Sequence, residues 1–222
     1  RSCGGKLATF KRLLKAYEEK HAKAAEEEKP AAGRCEYSAG GSCAGIVWEQ
    51  CISWTEDGRG TTVFAVRLPN GEIRYQQSVD VGGVTYIPYP ADLGLLRARR
   101  VVLFPERAEE YGSEQQLNKE IRSFIHDYLD VDPFYEKLAS YYVMFTWLYD
   151  LFENLPYLRA LGDYGTGKTR FIQTIGVLCY RPMLVSGAST TSPIFNIIDM
   201  FNGTLVIDEA DFSNSDTDNE II

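Results

Sequence analysis

The 222-residue sequence predicts a chain of mixed class: an α+β N-terminal region, made of a helix and a small antiparallel β domain, followed by the opening part of an α/β core. Three observations carry this reading. Leu7, Phe10, Leu13, Leu14 and Tyr17 recur at three- and four-residue steps, the period of a helix with one apolar face. From Gly45 to Pro105 the apolar residues come instead in short runs parted by turn residues. Beyond residue 156 the order becomes strand, glycine-rich loop, helix, strand, helix, strand, which is how an α/β layer begins. The chain accordingly divides into a helix and linker (1–33), a β-rich domain (34–105), a helical segment (106–156) and the α/β core (157–222).

The first helix is expected over residues 6–29, because Pro30 has no N–H for the helix ladder and Pro30-Ala-Ala-Gly33 breaks it. Ile46–Trp54 is the first strong strand candidate. Thr61–Leu68 and Glu72–Val79 flank Pro69-Asn70-Gly71, a hairpin signal since both Asn and Gly tolerate positive φ. Val84–Pro88 and Arg100–Phe104 complete the strands. Ser113 and Gln116 have capping-box spacing before the stripe Leu117, Ile121, Phe124, Ile125 and Tyr128. Asp132 is the N-cap of a second helix, with Pro133 at its first position, expected to run to Asn154. Its aromatic residues (Phe134, Tyr135, Tyr141, Tyr142, Phe145, Trp147, Tyr149 and Phe152) suit base stacking in principle, but such residues at helical spacing are favoured as core. In the last region Tyr157–Leu161, Pro182–Ser186 and Thr204–Ile207 are strands, Phe171–Leu178 is a helix, and Ser192 caps a helix opening with Pro193 and stopping at Asn202-Gly203.

Composition narrows the function. Hydrophobic residues at 45% and charged residues at 24% suit a packed globular chain. No run approaches the roughly 18 apolar residues of a membrane span; the longest, Tyr141–Phe152, is broken by Thr146 and Asp150. A net charge of −8 argues against a surface coated in basic residues for nucleic acid, though not against a local strip or an oligomeric channel. Five cysteines without paired spacing, and no apolar leader after Arg1, point to a cytoplasmic protein with reduced thiols. The start lacks an initiator Met, so Arg1 is not expected to be the biological first residue.

The chemistry lies in Gly162-Asp163-Tyr164-Gly165-Thr166-Gly167-Lys168-Thr169, set between an apolar strand and a helix. That is the Walker A pattern, or P-loop, and each residue type has a reason. Glycines let the backbone turn its N–H groups toward phosphate oxygens, and the helix N-terminus adds partial positive charge. Lys168 would reach the β- and γ-phosphates, and the Thr169 hydroxyl would ligate magnesium. A second motif names the same metal: Thr204-Leu-Val-Ile207 ends in Asp208-Glu209, the Walker B arrangement. There Asp208 would hold magnesium, directly or through water, and Glu209 would polarise the attacking water. Arg170 would lie near the nucleotide.

The loop and Leu205-Val-Ile-Asp-Glu-Ala-Asp211 resemble those of P-loop ATPases of the AAA+ and superfamily 3 helicase groups, as found in replication and primase-helicase proteins of phages and mobile elements. Asp208 lies 40 positions after Lys168, closer than in DEAD-box helicases despite the literal Asp208-Glu209-Ala210-Asp211. The resemblance covers about a quarter of the chain. It implies a truncated α/β P-loop NTPase core, ATP and Mg²⁺ as ligands, a nucleotide-binding stretch from Gly162 to Arg170 with phosphate contacts from Gly165, Gly167, Lys168 and Thr169, metal at Thr169 and Asp208, and catalytic roles for Lys168 and Glu209. It further implies a motor acting on single- or double-stranded DNA, assembled as a homo-oligomeric ring with no membrane partner. The sensor residue, arginine finger and lid of that group find no counterpart after Asp211, so a fragment that hydrolyses ATP poorly is expected. The rival functions are a non-motor ATPase switch of a regulatory or defence protein, a P-loop kinase, and a structural piece with a degenerate motor. Glu209 and the lack of an arginine lid weigh against the kinase, and the intact Lys168, Thr169, Asp208 and Glu209 against the structural piece.

Other groups carry less. Cys35, Cys43 and Cys51 recur every eight residues, not at the spacing of structural zinc, and unpaired thiols are the simpler reading. Cys179 reads as a small core residue and His126 as a helix-surface residue. Arg97-Ala-Arg-Arg100 and Lys11-Arg12 with Lys15 could meet phosphate backbones, but solvated faces are the commoner use of such clusters.

Overall fold

The computed structural model describes residues 33–94, 96, 101–163, 165–186 and 191–208. The helix expected over 6–29, the Arg97–Arg100 cluster, Tyr164 and Glu209 lie outside the described residues. The described residues fall into two compact units, one within Arg1–Leu93 and Pro105–Ala108, the other within Gly94–Phe104 and Glu109–Ile222. No helix among the described residues is long and apolar enough to cross a membrane.

The first unit holds seven strands: β1 (Arg34–Ser38), β2 (Gly40–Cys43), β3 (Ile46–Trp54), β4 (Gly60–Arg67), β5 (Ile73–Gln76), β6 (Val79–Val81) and β7 (Val84–Pro88). One sheet is the antiparallel meander β2-β3-β4-β5; the other has the order β1-β7-β6. In the second sheet β1 runs parallel to β7, while the other strand pairings described in this unit are antiparallel, so the domain is mostly antiparallel, as expected. The hairpin forms with Arg67 opposite Ile73. Its turn spans Leu68–Glu72, and only Gly71 takes positive φ, at 86°. With five residues to close the turn, Asn70 stays in ordinary backbone space; its side chain instead accepts from the Glu72 N–H at 3.0 Å. Trp48, Phe64, Val66 and Val79 form the core, with the Tyr86 ring stacked on Trp48 at 5.3 Å. Gln50 is fully buried, and its amide is satisfied at both ends by Tyr89: Nε2 donates to the carbonyl and Oε1 accepts from the N–H.

The second unit opens with helix α1 (Glu114–Tyr128) and helix α2 (Pro133–Thr146). Ser113 caps α1 by accepting from the Gln116 N–H at 3.2 Å. The reciprocal half of the capping box is missing: the Ser113 N–H donates to the Tyr111 carbonyl at 2.9 Å, and the Gln116 amide turns to Glu120. Asp132 caps α2 by accepting from the Phe134 N–H at 2.8 Å, with Pro133 in the first turn as expected.

Helix α2 departs from expectation twice. It stops at Thr146 instead of reaching Asn154, as the backbone tightens to three-residue hydrogen bonds through Leu148, Leu151 and Phe152, the last two closing a short 3-10 turn at Tyr149–Leu151. Its buried face is Glu136, Ala139, Ser140, Val143 and Thr146, mostly small residues that let neighbouring helices approach. Phe134, Tyr135, Tyr141 and Trp147 are exposed, so these aromatic residues are not the core they were expected to be. The core is Ile125 and Leu129 of the α1 end, Ala139 and Val143 of α2, and Ile175 and Cys179 beyond.

Helix α3 (Lys168–Gly176), strand β8 (Met183–Ser186), helix α4 (Thr191–Phe201) and strand β9 (Leu205–Asp208) follow. Strands β8 and β9 pair in parallel, Met183 opposite Leu205 and Ser186 opposite Asp208, with α4 as the crossover. Two expected strands are absent. Tyr157–Leu161 is irregular chain without a sheet partner among the described residues, and Tyr157 and Leu161 are exposed. A strand exists only through its neighbour's hydrogen bonds, and five residues of suitable composition do not provide one. Val101–Phe104 belongs to the second unit and makes a single antiparallel bridge, Val102 to Met183, on the free side of β8.

Candidate functional site

Close packing of α3 on β9 builds the site. Gly176, at the end of α3, lies so near Val206 that a Cβ there would sit 2.9 Å and 3.0 Å from the two valine methyls. From that anchor α3 runs back about two turns, some 10 Å, to Thr169. The strand meanwhile advances two residues, to Asp208, so both side chains come to the same end of the layer. There the Thr169 hydroxyl donates to Asp208 Oδ1 at 3.1 Å. The two residues that the sequence nominates for one metal, 39 positions apart, are in direct contact.

The loop before α3 turns on two glycines in left-handed backbone, Gly165 at φ 82° and Gly167 at φ 84°. Neither would bring a Cβ against anything within 4 Å. Their glycine is needed for backbone conformation, not for room. Gly162 differs, since a Cβ there would meet the Thr166 hydroxyl at 2.8 Å. Gly167 is the N-cap of α3 and supplies no side-chain acceptor, so the first helical N–H groups keep no side-chain cap. Uncapped N–H groups at a helix start are suited to an anion.

Lys168 points back along its own loop. Its Nζ donates to the carbonyl of Gly162 at 2.7 Å and to that of Asp163 at 2.6 Å. Thr166 joins the same network, its hydroxyl donating to the Asp163 carbonyl at 2.8 Å. Arg170 is exposed on the first turn of α3 and borders the adjoining cavity. The structure thus brings together Gly162, Asp163, Gly165, Thr166, Gly167, Lys168, Thr169, Arg170 and Asp208, while Tyr164 and Glu209 are outside the described residues.

A cavity of about 960 Å³ opens beside these residues. The loop, the start of α3 and Asp208 line it together with apolar walls that include Tyr142, Leu158, Phe171, Ile175 and Val206. None of those wall residues carries a motif, and only their placement reveals them. Burial raises the Tyr142 hydroxyl above its ordinary range, with a smaller push from a neighbouring Cys179 thiolate. Burial likewise takes the Cys179 thiol to about 11, partly opposed by a Thr146 hydrogen bond. His126, away from this site, has its Nδ1 3.3 Å from Glu136, a carboxylate that also accepts from Arg122 at 2.9 Å.

A hydroxyl and a carboxylate 3.1 Å apart at the edge of an uncapped helix start are hard oxygen ligands, the kind magnesium takes together with phosphate oxygens. The donor set fits that metal. No protein-family model matches the chain, and no curated protein or solved structure matches it.

Proposed function

We propose that this chain binds a nucleoside triphosphate with magnesium at loop 162–169, and that ATP is the triphosphate it hydrolyses. One observation supports this above the others: Thr169 and Asp208, named by two separate motifs as ligands of one metal, share a hydrogen bond and both line the cavity. In this reading the backbone N–H groups around Gly165 and Gly167 cradle the phosphates, and Lys168 moves onto the β- and γ-phosphate oxygens. Thr169 and Asp208 hold the magnesium, which would neutralise the phosphate charge. Glu209, next in sequence to Asp208, orients the attacking water.

The wider role, a helicase or replication ATPase working as a ring on DNA, rests on the resemblance of two short segments. A non-motor ATPase switch uses the same site. Stimulation of hydrolysis by single-stranded DNA supports the motor; hydrolysis indifferent to DNA supports the switch.

Calorimetric titration of the full chain with ATP tests the binding reading. Binding should require Mg²⁺ and weaken about a hundredfold or more in Lys168→Ala, the scale of losing a charge pair to phosphate. Undetectable binding, or affinity untouched by Lys168→Ala, refutes it.

A further inference from the structure

Lys168 is already engaged in the ligand-free loop, and the engagement has a third participant. The Asp163 carbonyl has two lone pairs. Lys168 Nζ takes one at 2.6 Å and the Thr166 hydroxyl takes the other at 2.8 Å, while the Thr166 N–H approaches the same oxygen at 3.4 Å. Gly162 offers its own carbonyl to Lys168 at 2.7 Å and, lacking a Cβ, leaves room for the Thr166 hydroxyl. Four residues therefore close the loop on itself. The amine needed for phosphate is spent on two carbonyls, and the hydroxyl of Thr166 fixes the direction of one of them.

We propose that Thr166 is a positioning residue that latches Lys168 onto the carbonyls of Gly162 and Asp163, so that a nucleotide binds only by taking the lysine over. This deepens the triphosphate reading and rests on it. A polyphosphate presents several charged oxygens to the amine and can displace two neutral carbonyls. A nucleoside or a monophosphate presents too few at the right place. The latch thus makes the loop selective for di- and triphosphates, and it sets their affinity below what the open loop would give.

The sign of one substitution separates a latch from an ordinary ligand contact. Thr166→Val keeps the shape and removes the hydroxyl. If Thr166 only touched nucleotide, the change would weaken binding; as a latch, it should tighten MgATP about fivefold, the equivalent of one ordinary hydrogen bond lost from the closed loop. Thr166→Ser should behave as wild type. Gly162→Ala, whose methyl would crowd the hydroxyl away from Asp163, should shift in the same direction as Thr166→Val.

The experiment has two arms on the full chain. In the first, trace acetylation without nucleotide is read by mass spectrometry at Lys168 against the exposed Lys119 and Lys137. Lys168 should react several times more slowly than either, and Thr166→Val should remove most of the difference. In the second, MgATP and inorganic triphosphate are titrated into wild type, Thr166→Val and Thr166→Ser. Lys168 reacting as fast as Lys119 and Lys137, or weaker MgATP binding in Thr166→Val, overturns the latch. Slow Lys168 acetylation in a chain that binds no triphosphate refutes the reading of the site while upholding the self-closed loop.

Discussion

Replacing Gly176 with alanine tests whether the α3–β9 contact really sets the site. The new Cβ would lie 2.9 Å and 3.0 Å from the Val206 methyls, against an optimum of about 3.5 to 4.0 Å for carbon pairs. Val206 is buried and held in a strand paired with β8, so it has little freedom to yield. Overpacking of this kind costs about 1–3 kcal/mol. Against it stands the gain of alanine over glycine in a helix, at most about 1 kcal/mol and less at a last helical residue. The net expectation is a loss of about 1–2 kcal/mol. Val206→Ala deletes the two methyls that clash, and alone should cost about 2 kcal/mol through lost burial and a cavity. In the double variant the clash is gone, so the two costs should fall short of additivity by about 1–2 kcal/mol. Hydrogen exchange of the α3 and β9 amides reads these energies within the second unit, independently of the first. The function should follow, since moving α3 off β9 parts Thr169 from Asp208: Gly176→Ala should weaken MgATP and the double variant should regain it. A neutral or stabilising Gly176→Ala, or strictly additive effects, would refute the reasoning.

Further expectations concern other parts of the structure. Glu136→Ala removes a nearly buried carboxylate that accepts from Arg122 at 2.9 Å, and should cost about 2 kcal/mol in chemical unfolding of the second unit. Cys51 and Cys179, both raised to about 11 by burial, should alkylate slowly at pH 8, tenfold faster with each pH step, while the exposed Cys35 reacts at once. Because the folded-state values of these two thiols lie above the unfolded value near 9, the unfolded chain loses the protons first. Stability is therefore complete below pH 9 and should fall steadily as pH rises toward 11, in both units, by circular dichroism.

What the sequence could announce was local. Ser113, the Asp132-Pro133 pair and the Gly71 turn each act through bonds to residues two to four positions away, and each appears where its spacing placed it. The β8–α4–β9 crossover was legible for the same reason, as apolar runs of strand length separated by a helix, although α4 begins at Thr191 and so takes in the Ser192 expected to cap it. Tyr157–Leu161 has equally good strand composition and no strand, since pairing depends on a neighbour that no local pattern supplies. The outward aromatic face of α2 was hidden likewise: its buried face is chosen by small residues that fit the neighbouring helices, and hydrophobicity alone ranks Tyr141 above Ser140. Within the site, residue identities pointed to Thr169 and Asp208, but the partners of Lys168 are main-chain carbonyls. Every residue carries one, and sequence cannot say which way it faces. Gly176 falls inside the helix expected over Phe171–Leu178, and only the fold places Val206 against it.

The shared cation can be observed by substituting Mn²⁺ for Mg²⁺ and recording its electron paramagnetic resonance with ATP on the full chain. Wild type should bind Mn²⁺ tightly only when ATP is present, with Thr169→Val and Asp208→Asn each returning most of the ion to the free or ATP-only signal. A wild-type Mn²⁺–ATP spectrum that both variants reproduce unchanged would show that Thr169 and Asp208 hold no metal.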